Sequence, residues 1–243
     1  MANQEECDVA VPGPRALKVF VALNPRNQPY DESMDSLNAV LVTTVAAGIG
    51  INYRKIRRGV PGWHNAGPSV SEFMKDKEAT HMFLAADDML YPPDILIRLT
   101  SHDKDVVSGT YRKGSLSPCL ANYETDVDEM YRHVREGGVY ETKFAAGHTM
   151  LIAKRVIEKM IRDYPELAYF GPLTEETHYG LFLPMIEKGL VYHDDWAFSV
   201  RAKRSGFTLW NDYGVRCKHY CSDFLAFEAP AEGPRLVEKS SAA

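Results

Sequence analysis

Residues 81–86 read His-Met-Phe-Leu-Ala-Ala, an apolar run of strand length that stops at two adjacent carboxylates, Asp87 and Asp88. Tyr91-Pro92-Pro93 follows, and proline suits the first turn of a helix because its ring fixes φ and it has no N–H to leave unsatisfied. The chain must therefore place two acids at the carboxyl end of a buried, central strand. In an open α/β sheet that edge is where ligands bind. Neighbouring carboxylates repel unless something positive neutralises them, which points to a divalent cation and, through it, a diphosphate.

The residues before this stretch fit a parallel sheet. Residues 17–23 (LKVFVAL) form a strand rich in β-branched and aromatic side chains, closed by Asn24-Pro25-Arg26-Asn27. Ser33 is placed to cap a helix whose apolar positions Leu37, Val40, Leu41 and Val45 fall at helical spacing, ending near Gly48 and Gly50. Residues 51–56 make a second strand. Strand, helix, strand implies a right-handed crossover between parallel neighbours. A Gly/Pro loop over 59–68 contains Trp63-His64-Asn65, and Ser69-Val70-Ser71-Glu72 matches a capping box for a further helix. A short helix over 93–101 and a strand over 105–110 come next.

The second part is less regular. Residues 117–142 alternate in a strand-like way and read as antiparallel hairpins without a helical crossover. Residues 144–155 pass through Gly147-His148 into an apolar strand, with a helix over 156–162. Residues 164–190 are aromatic and broken by Gly and Pro, the pattern of a functional lid. A second acidic pair, Asp194-Asp195, opens a helix that Gly206 terminates; the positive end of the helix dipole favours carboxylates there, and a simple cap would need only one. Residues 215–220 close with a strand carrying His219.

Composition narrows the class. At 243 residues and 45% hydrophobic the chain can bury a substantial core, and we read residues 17–221 as one domain. Residues 1–16 read as a flexible leader and 222–243 as a partly disordered tail. The net charge of −5 argues against general nucleic-acid binding, despite basic clusters at 54–58 and 201–204. No run approaches the roughly 18 apolar residues of a membrane span, and the first eight residues are acidic where a signal peptide would be basic; a soluble, cytoplasmic protein is expected. Four scattered cysteines do not make a disulfide framework, and Cys217-x-His219-x-Cys221 lacks the second ligand pair of a zinc site.

Ala86-Asp87-Asp88-Met89 followed by Pro92-Pro93 resembles the DxD-type motif of GT-A-fold glycosyltransferases, in the family 2-like group common in bacteria and their phages. The stretch 192–210, with its paired acid, aromatic-containing helix, Gly206-Phe207 and Trp210, resembles that family's second signature, and Val215-Arg216-Cys217-Lys218-His219-Tyr220 its closing strand. The resemblance spans about 17–220, and it implies a nucleotide-binding half over 17–113 and an acceptor-binding half over 114–221. It implies an α/β, Rossmann-like GT-A fold: a mostly parallel central sheet flanked by helices, with a small antiparallel part. It also implies a nucleoside-diphosphate sugar as donor, a glycan or small-molecule hydroxyl as acceptor, with a modified DNA base also conceivable, and Mn²⁺ or Mg²⁺ as cofactor.

Carried onto this chain, the resemblance makes Asp88, Asp87 and His219 the metal and pyrophosphate ligands and Asn24, Arg26 and Asn65 donor contacts. Where relatives carry an Arg before Asn65, His64 stands here, which departs from the pattern. Gly147, His148 and Trp196 would lie at the acceptor. Asp195 would be the general base of an inverting transfer, with Asp194 beside it. Two other classes fit less well. A nucleotidyltransferase usually shows a Gly-rich phosphate loop near its N-terminus, which Asn24-Pro25-Arg26-Asn27 is not. A non-catalytic nucleotide- or carbohydrate-binding module on a decayed transferase scaffold would bind without turnover.

Overall fold

The computed structural model describes residues 16–25, 29–56, 62–111, 127–171, 174–220 and 224–225, with side chains not described for 62–65, 127 and 224–225. The chain runs β1 (Lys18–Leu23), α1 (Asp31–Ala46), β2 (Gly50–Lys55), α2 (Gly62–Lys75), β3 (His81–Ala85), β4 (Met89–Leu90), α3 (Ile95–Ser101) and β5 (Val106–Tyr111). It continues with α4 (Val127–Glu136), β6 (Val139–Glu141), β7 (Met150–Ala153), α5 (Lys154–Asp163), β8 (Ala168–Gly171) and β9 (Glu176–Tyr179). It ends with β10 (Met185–Glu187), β11 (Leu190–Tyr192), α6 (Asp194–Arg204), β12 (Leu209–Tyr220) and β13 (Phe224–Leu225).

The main sheet has the order β13-β12-β5-β7-β3-β1-β2, with β4 and β6 also pairing β12. β1 is parallel to β2 and β3, β12 is parallel to β5, and β7 runs antiparallel to both β3 and β5. Reversal of β7 between β3 and β5 makes those two co-directional, so five long strands end at one edge. The architecture is the mostly parallel α/β sheet with small antiparallel additions that the sequence leads one to expect.

Alternation along β1 divides the core. Phe20 and Ala22 join Val70, Phe73, Val156, Ile157 and Phe198 on the face covered by α2, α5 and α6, while Val19, Val21 and Leu23 join Leu37, Val40, Ile95 and Leu96 under α1 and α3. A period of two carrying apolar residues on both sides is what a strand covered on both faces requires. A satellite cluster of Met130, Tyr131, Val134 and Tyr213 seats α4 against β12.

Several local expectations are corrected. Residues 127–136 form a helix where hairpins were expected, because Met130, Tyr131 and Val134 share a face that packs on Tyr213. Residues 112–126, which include the other expected strand of that region, lie outside the described residues. Helix α1 starts two residues before Ser33, with Asp31 and Glu32 in its first turn, so Ser33 is a buried first-turn residue and not the cap. Helix α2 begins at Gly62 and contains Pro68, and the Ser69 hydroxyl donates to Asn24 Oδ1 at 2.7 Å instead of capping. The expected lid is partly ordered into the hairpins β8–β9 and β10–β11.

Candidate functional site

Because β1, β3, β5 and β12 finish at the same edge, that edge gathers Asn24, Asp87-Asp88, Tyr111 and His219. The reversed strand β7 begins there, so the 3-10 turn Gly147–Thr149 that precedes it joins the same edge. Residues far apart in sequence thus meet through topology alone.

The acidic turn after β3 is fixed by its neighbours' backbones. Tyr30 N–H donates to Asp87 O at 3.3 Å and Tyr220 N–H to Asp88 O at 2.9 Å. The two tyrosine rings lie 4.1 Å apart, centroid to centroid. Pairing of β4 with β12 sets Met89 opposite His219 and brings Asp88 Oδ2 to 3.4 Å from His219 Nε2. The Tyr91 hydroxyl is buried: it accepts the Ala86 N–H at 2.9 Å and donates to His148 O at 3.1 Å, tying the acidic turn to the Gly147–Thr149 turn. Burial raises the Tyr91 phenol well above its ordinary range, which keeps it a neutral donor.

Helix α6 starts at Asp194, with His193 as an extended cap residue. Asp195 is buried; Oδ1 accepts the Trp196 N–H at 2.9 Å and Oδ2 the Gly147 N–H at 3.4 Å. A Cβ at position 147 would stand 2.9 Å from Asp195 Cβ. Gly147 is therefore required by close approach to α6 and not by a left-handed backbone, since it is not among the described glycines with positive φ. Gly206, by contrast, adopts φ of 90° and ends α6 as expected. Trp196 stacks on Phe144 at 4.4 Å with the rings inclined by 10°.

Tyr111 ends β5 at this same edge. Its phenol is raised well above its usual range, first by burial and then by the negative charges of Asp195, Asp194 and Asp88. Its ring centroid is 5.5 Å from that of His219. The sequence reading missed Tyr111 and Tyr91. The signal available was position alone: one closes a fully buried strand, the other separates the acid pair from Pro92-Pro93.

Of the other residues singled out, Asn24 is buried at the end of β1, where it receives the Ser69 hydroxyl. His148 is half-buried and lies in the turn held by Tyr91. Arg26 and the side chain of Asn65 lie outside the described residues.

The donor set can be tested against a divalent cation. Among the described residues no group of three His, Cys, Asp or Glu side chains is arranged to hold a metal ion. Asp88 with His219 supplies a carboxylate and an imidazole 3.4 Å apart. A hard cation such as Mg²⁺ takes one or two carboxylates and completes its shell with phosphate oxygens and water. A two-residue set beside an open sheet edge fits that mode, and does not fit an all-protein zinc cage.

No protein-family model matches the chain. No curated protein matches it either. Among solved structures, A197 from STIV shares 13% identity over 88% of this chain and 90% of that one, with a TM-score of 0.51, a likeness of fold. The catalytic domain of Drosophila beta1,4galactosyltransferase 7, in complex with xylobiose, aligns over 81% of this chain and 65% of that one at 11% identity and a TM-score of 0.45. The inositol-1-phosphate CTP transferase from T. maritima aligns over 81% of this chain and 89% of that one, at 10% identity and a TM-score of 0.38.

Proposed function

We propose that the protein is a glycosyltransferase that moves a sugar from a nucleoside-diphosphate donor to a hydroxyl acceptor with inversion. The observation that carries the reading is the link between two acidic pairs, over a hundred residues apart, at the ligand-binding edge of the sheet: the Tyr91 hydroxyl ties the Asp87-Asp88 turn to the Gly147–Thr149 turn, and the Gly147 N–H reaches Asp195. One pair has an imidazole beside it and the other is anchored by backbone N–H groups, so the two are built for different tasks.

Asp88 and His219, with Asp87 next to them, would hold the diphosphate end of the donor through Mn²⁺ or Mg²⁺. A bound cation there neutralises charge developing on the leaving diphosphate. Asp195 takes the proton of the acceptor hydroxyl as that oxygen bonds to the anomeric carbon, and the bond from that carbon to the diphosphate oxygen breaks on the opposite face. The products are the glycoside, a nucleoside diphosphate and a protonated Asp195. A carboxylate suits the task because hydrogen-bond reach decides whether a general base can act, and the two N–H groups on Asp195 fix its direction. Asp194 would orient the acceptor, Gly147 admits Asp195 to the site, and Trp196 on Phe144 offers an aromatic wall for a sugar ring.

The test is calorimetric titration of nucleoside diphosphates and their sugars into the full chain, with Mn²⁺ and then with EDTA, repeated on Asp195→Asn. Binding of one nucleotide that EDTA abolishes, retained in Asp195→Asn while sugar transfer disappears, is the expected result. Binding of none of them moves the protein to a non-catalytic role, and loss of donor binding in Asp195→Asn contradicts the base assignment.

A further inference from the structure

The hairpin β10–β11 stands off the main sheet and ends immediately before the second acidic pair. Its register sets Ile186 opposite Val191, and both are exposed, at 76% and 52%; Leu190 beside the turn is 60% exposed. The turn residues Lys188 and Gly189 both have positive φ, 49° and 78°, the geometry that matches strand twist in a two-residue hairpin. A loop serving only as a connection has no reason to present three large aliphatic side chains to water at the end of a well-formed hairpin.

Cations lie at the turn and at the base of this hairpin. Lys188 is at the turn, and Lys143, Lys203 and Arg204 line a cleft of about 280 Å³ with Phe144, Tyr192 and Val200. Among the residues of the hairpin and the cleft, Glu187 is the one carboxylate, and Arg204 neutralises it at 2.6 Å. The Lys203 ammonium gives one hydrogen bond to Thr142 O at 3.2 Å, and Lys143 lies over the Phe144 ring at 5.5 Å. An aliphatic hairpin with cations at its turn and beside its base has the chemistry of elements that lie in a membrane interface: side chains enter the acyl boundary and cations meet anionic headgroups. The same cations disfavour a second copy of the chain, because a two-fold contact would bring like charges together.

We propose that β10–β11 seats this protein on the surface of an anionic lipid bilayer. The aromatic path from Tyr192 through Phe144 to Trp196 then leads from that surface to Asp195, so an acceptor presented at a membrane would reach the base directly. Membrane seating does not require a spanning helix, and among the described residues no helix is long and apolar enough to cross a bilayer. The seating itself holds whatever reaction the sheet edge performs.

Co-sedimentation of the full chain with vesicles of phosphatidylcholine and phosphatidylglycerol tests it, against vesicles of phosphatidylcholine alone and at high salt. The expected result is binding that needs the anionic lipid and weakens with salt. Ile186→Ser with Leu190→Ser and Val191→Ser should weaken it by about tenfold or more, since the inserted apolar area sets the affinity. Lys188→Glu should weaken it too, while Val42→Ser with Val45→Ser, which removes exposed aliphatics on α1, should leave it unchanged. Failure of the parent chain to sediment overturns the proposal, as does unaltered binding by the hairpin triple variant. A dimer in sedimentation velocity that the triple variant abolishes also overturns it, assigning the face to a second copy; so does capture of a protein partner with no vesicle binding.

Discussion

At the scale of single residues, the site depends on how little space separates Gly147 from α6. The neighbour of an added methyl would be Asp195 Cβ, which is anchored to a helix and cannot swing away as the end of a long side chain could. Gly147→Ala should therefore displace Asp195 and lengthen its 3.4 Å bond to the residue 147 N–H. Overpacking of this kind costs about 1–3 kcal/mol of stability. Misplacement of the base by about 1 Å should lower turnover by about 10²-fold while donor affinity stays near that of the parent. Steady-state kinetics beside calorimetry check this; a fall in donor affinity equal to the fall in turnover would place Gly147 at the donor instead. Both acid pairs were legible in the sequence because carboxylates at the end of an apolar run, or doubled at a helix start, are costly without a purpose. Tyr111 and Tyr91 were not legible, because a tyrosine in an apolar context looks like core until tertiary structure shows what its hydroxyl faces.

At the scale of elements, the strands that carry the site are positioned by polar anchors at the far edge of the sheet. Asp76, in the turn between α2 and β3, accepts the Glu78 and Ala79 N–H groups at 3.0 and 3.1 Å and Asn52 Nδ2 at 2.6 Å, with Lys18 Nζ at 3.6 Å. Burial alone would raise its carboxyl, but the hydrogen bonds from Asn52, Glu78 and Ala79, aided by Lys18, outweigh it and hold the group below its ordinary 3.8. A folded-state value below the unfolded one means that this contribution is complete above about pH 3.8 and is lost as pH falls through the lowered value. Asp76→Ala should cost about 1–3 kcal/mol at neutral pH, since it strands two backbone donors, and the loss in Tm should shrink as pH drops below 4. Thermal unfolding across pH 3–7 measures it; a difference independent of pH would show that the charge contributes nothing. The strands and helices of the first half were readable because strict periodicity and short loops leave little choice. Helix α4 was misread since Tyr131 and Val134 favour strands by propensity, and only packing on Tyr213 shows that Met130, Tyr131 and Val134 form a helical face. The bulge in β12 between Asn211 and Arg216 was likewise invisible: Asp212, buried, accepts the N–H groups of Gly214 and Val215 and receives Arg98 and His102, so the strand expected over 215–220 begins at Leu209.

At the scale of the whole molecule, the site draws on the ends of β3, β5 and β12, the start of β7 and the start of α6, so a ligand that bridges the two acidic pairs joins nearly all of the described chain. Such a ligand binds the folded state and not the unfolded one, and it must stabilise the fold by mass action. At a hundredfold excess over Kd the gain is about 2.7 kcal/mol. For a chain of this size each kcal/mol moves Tm by about 2–4 °C, so a saturating nucleoside diphosphate with Mn²⁺ should raise Tm by about 5–10 °C. EDTA should remove the shift if Asp88 and His219 act through a cation, because an uncompensated diphosphate would otherwise meet the carboxylates of Asp87 and Asp88. Asp195→Asn should keep the shift, since the base contacts the acceptor and not the leaving group. His219→Ala should reduce it, which separates the two halves of the site by a measurement that needs no knowledge of the acceptor. A shift that survives EDTA would remove the metal from the scheme and leave the nucleotide held by protein donors alone. A shift lost in Asp195→Asn and kept in His219→Ala would exchange the roles of the two acidic pairs.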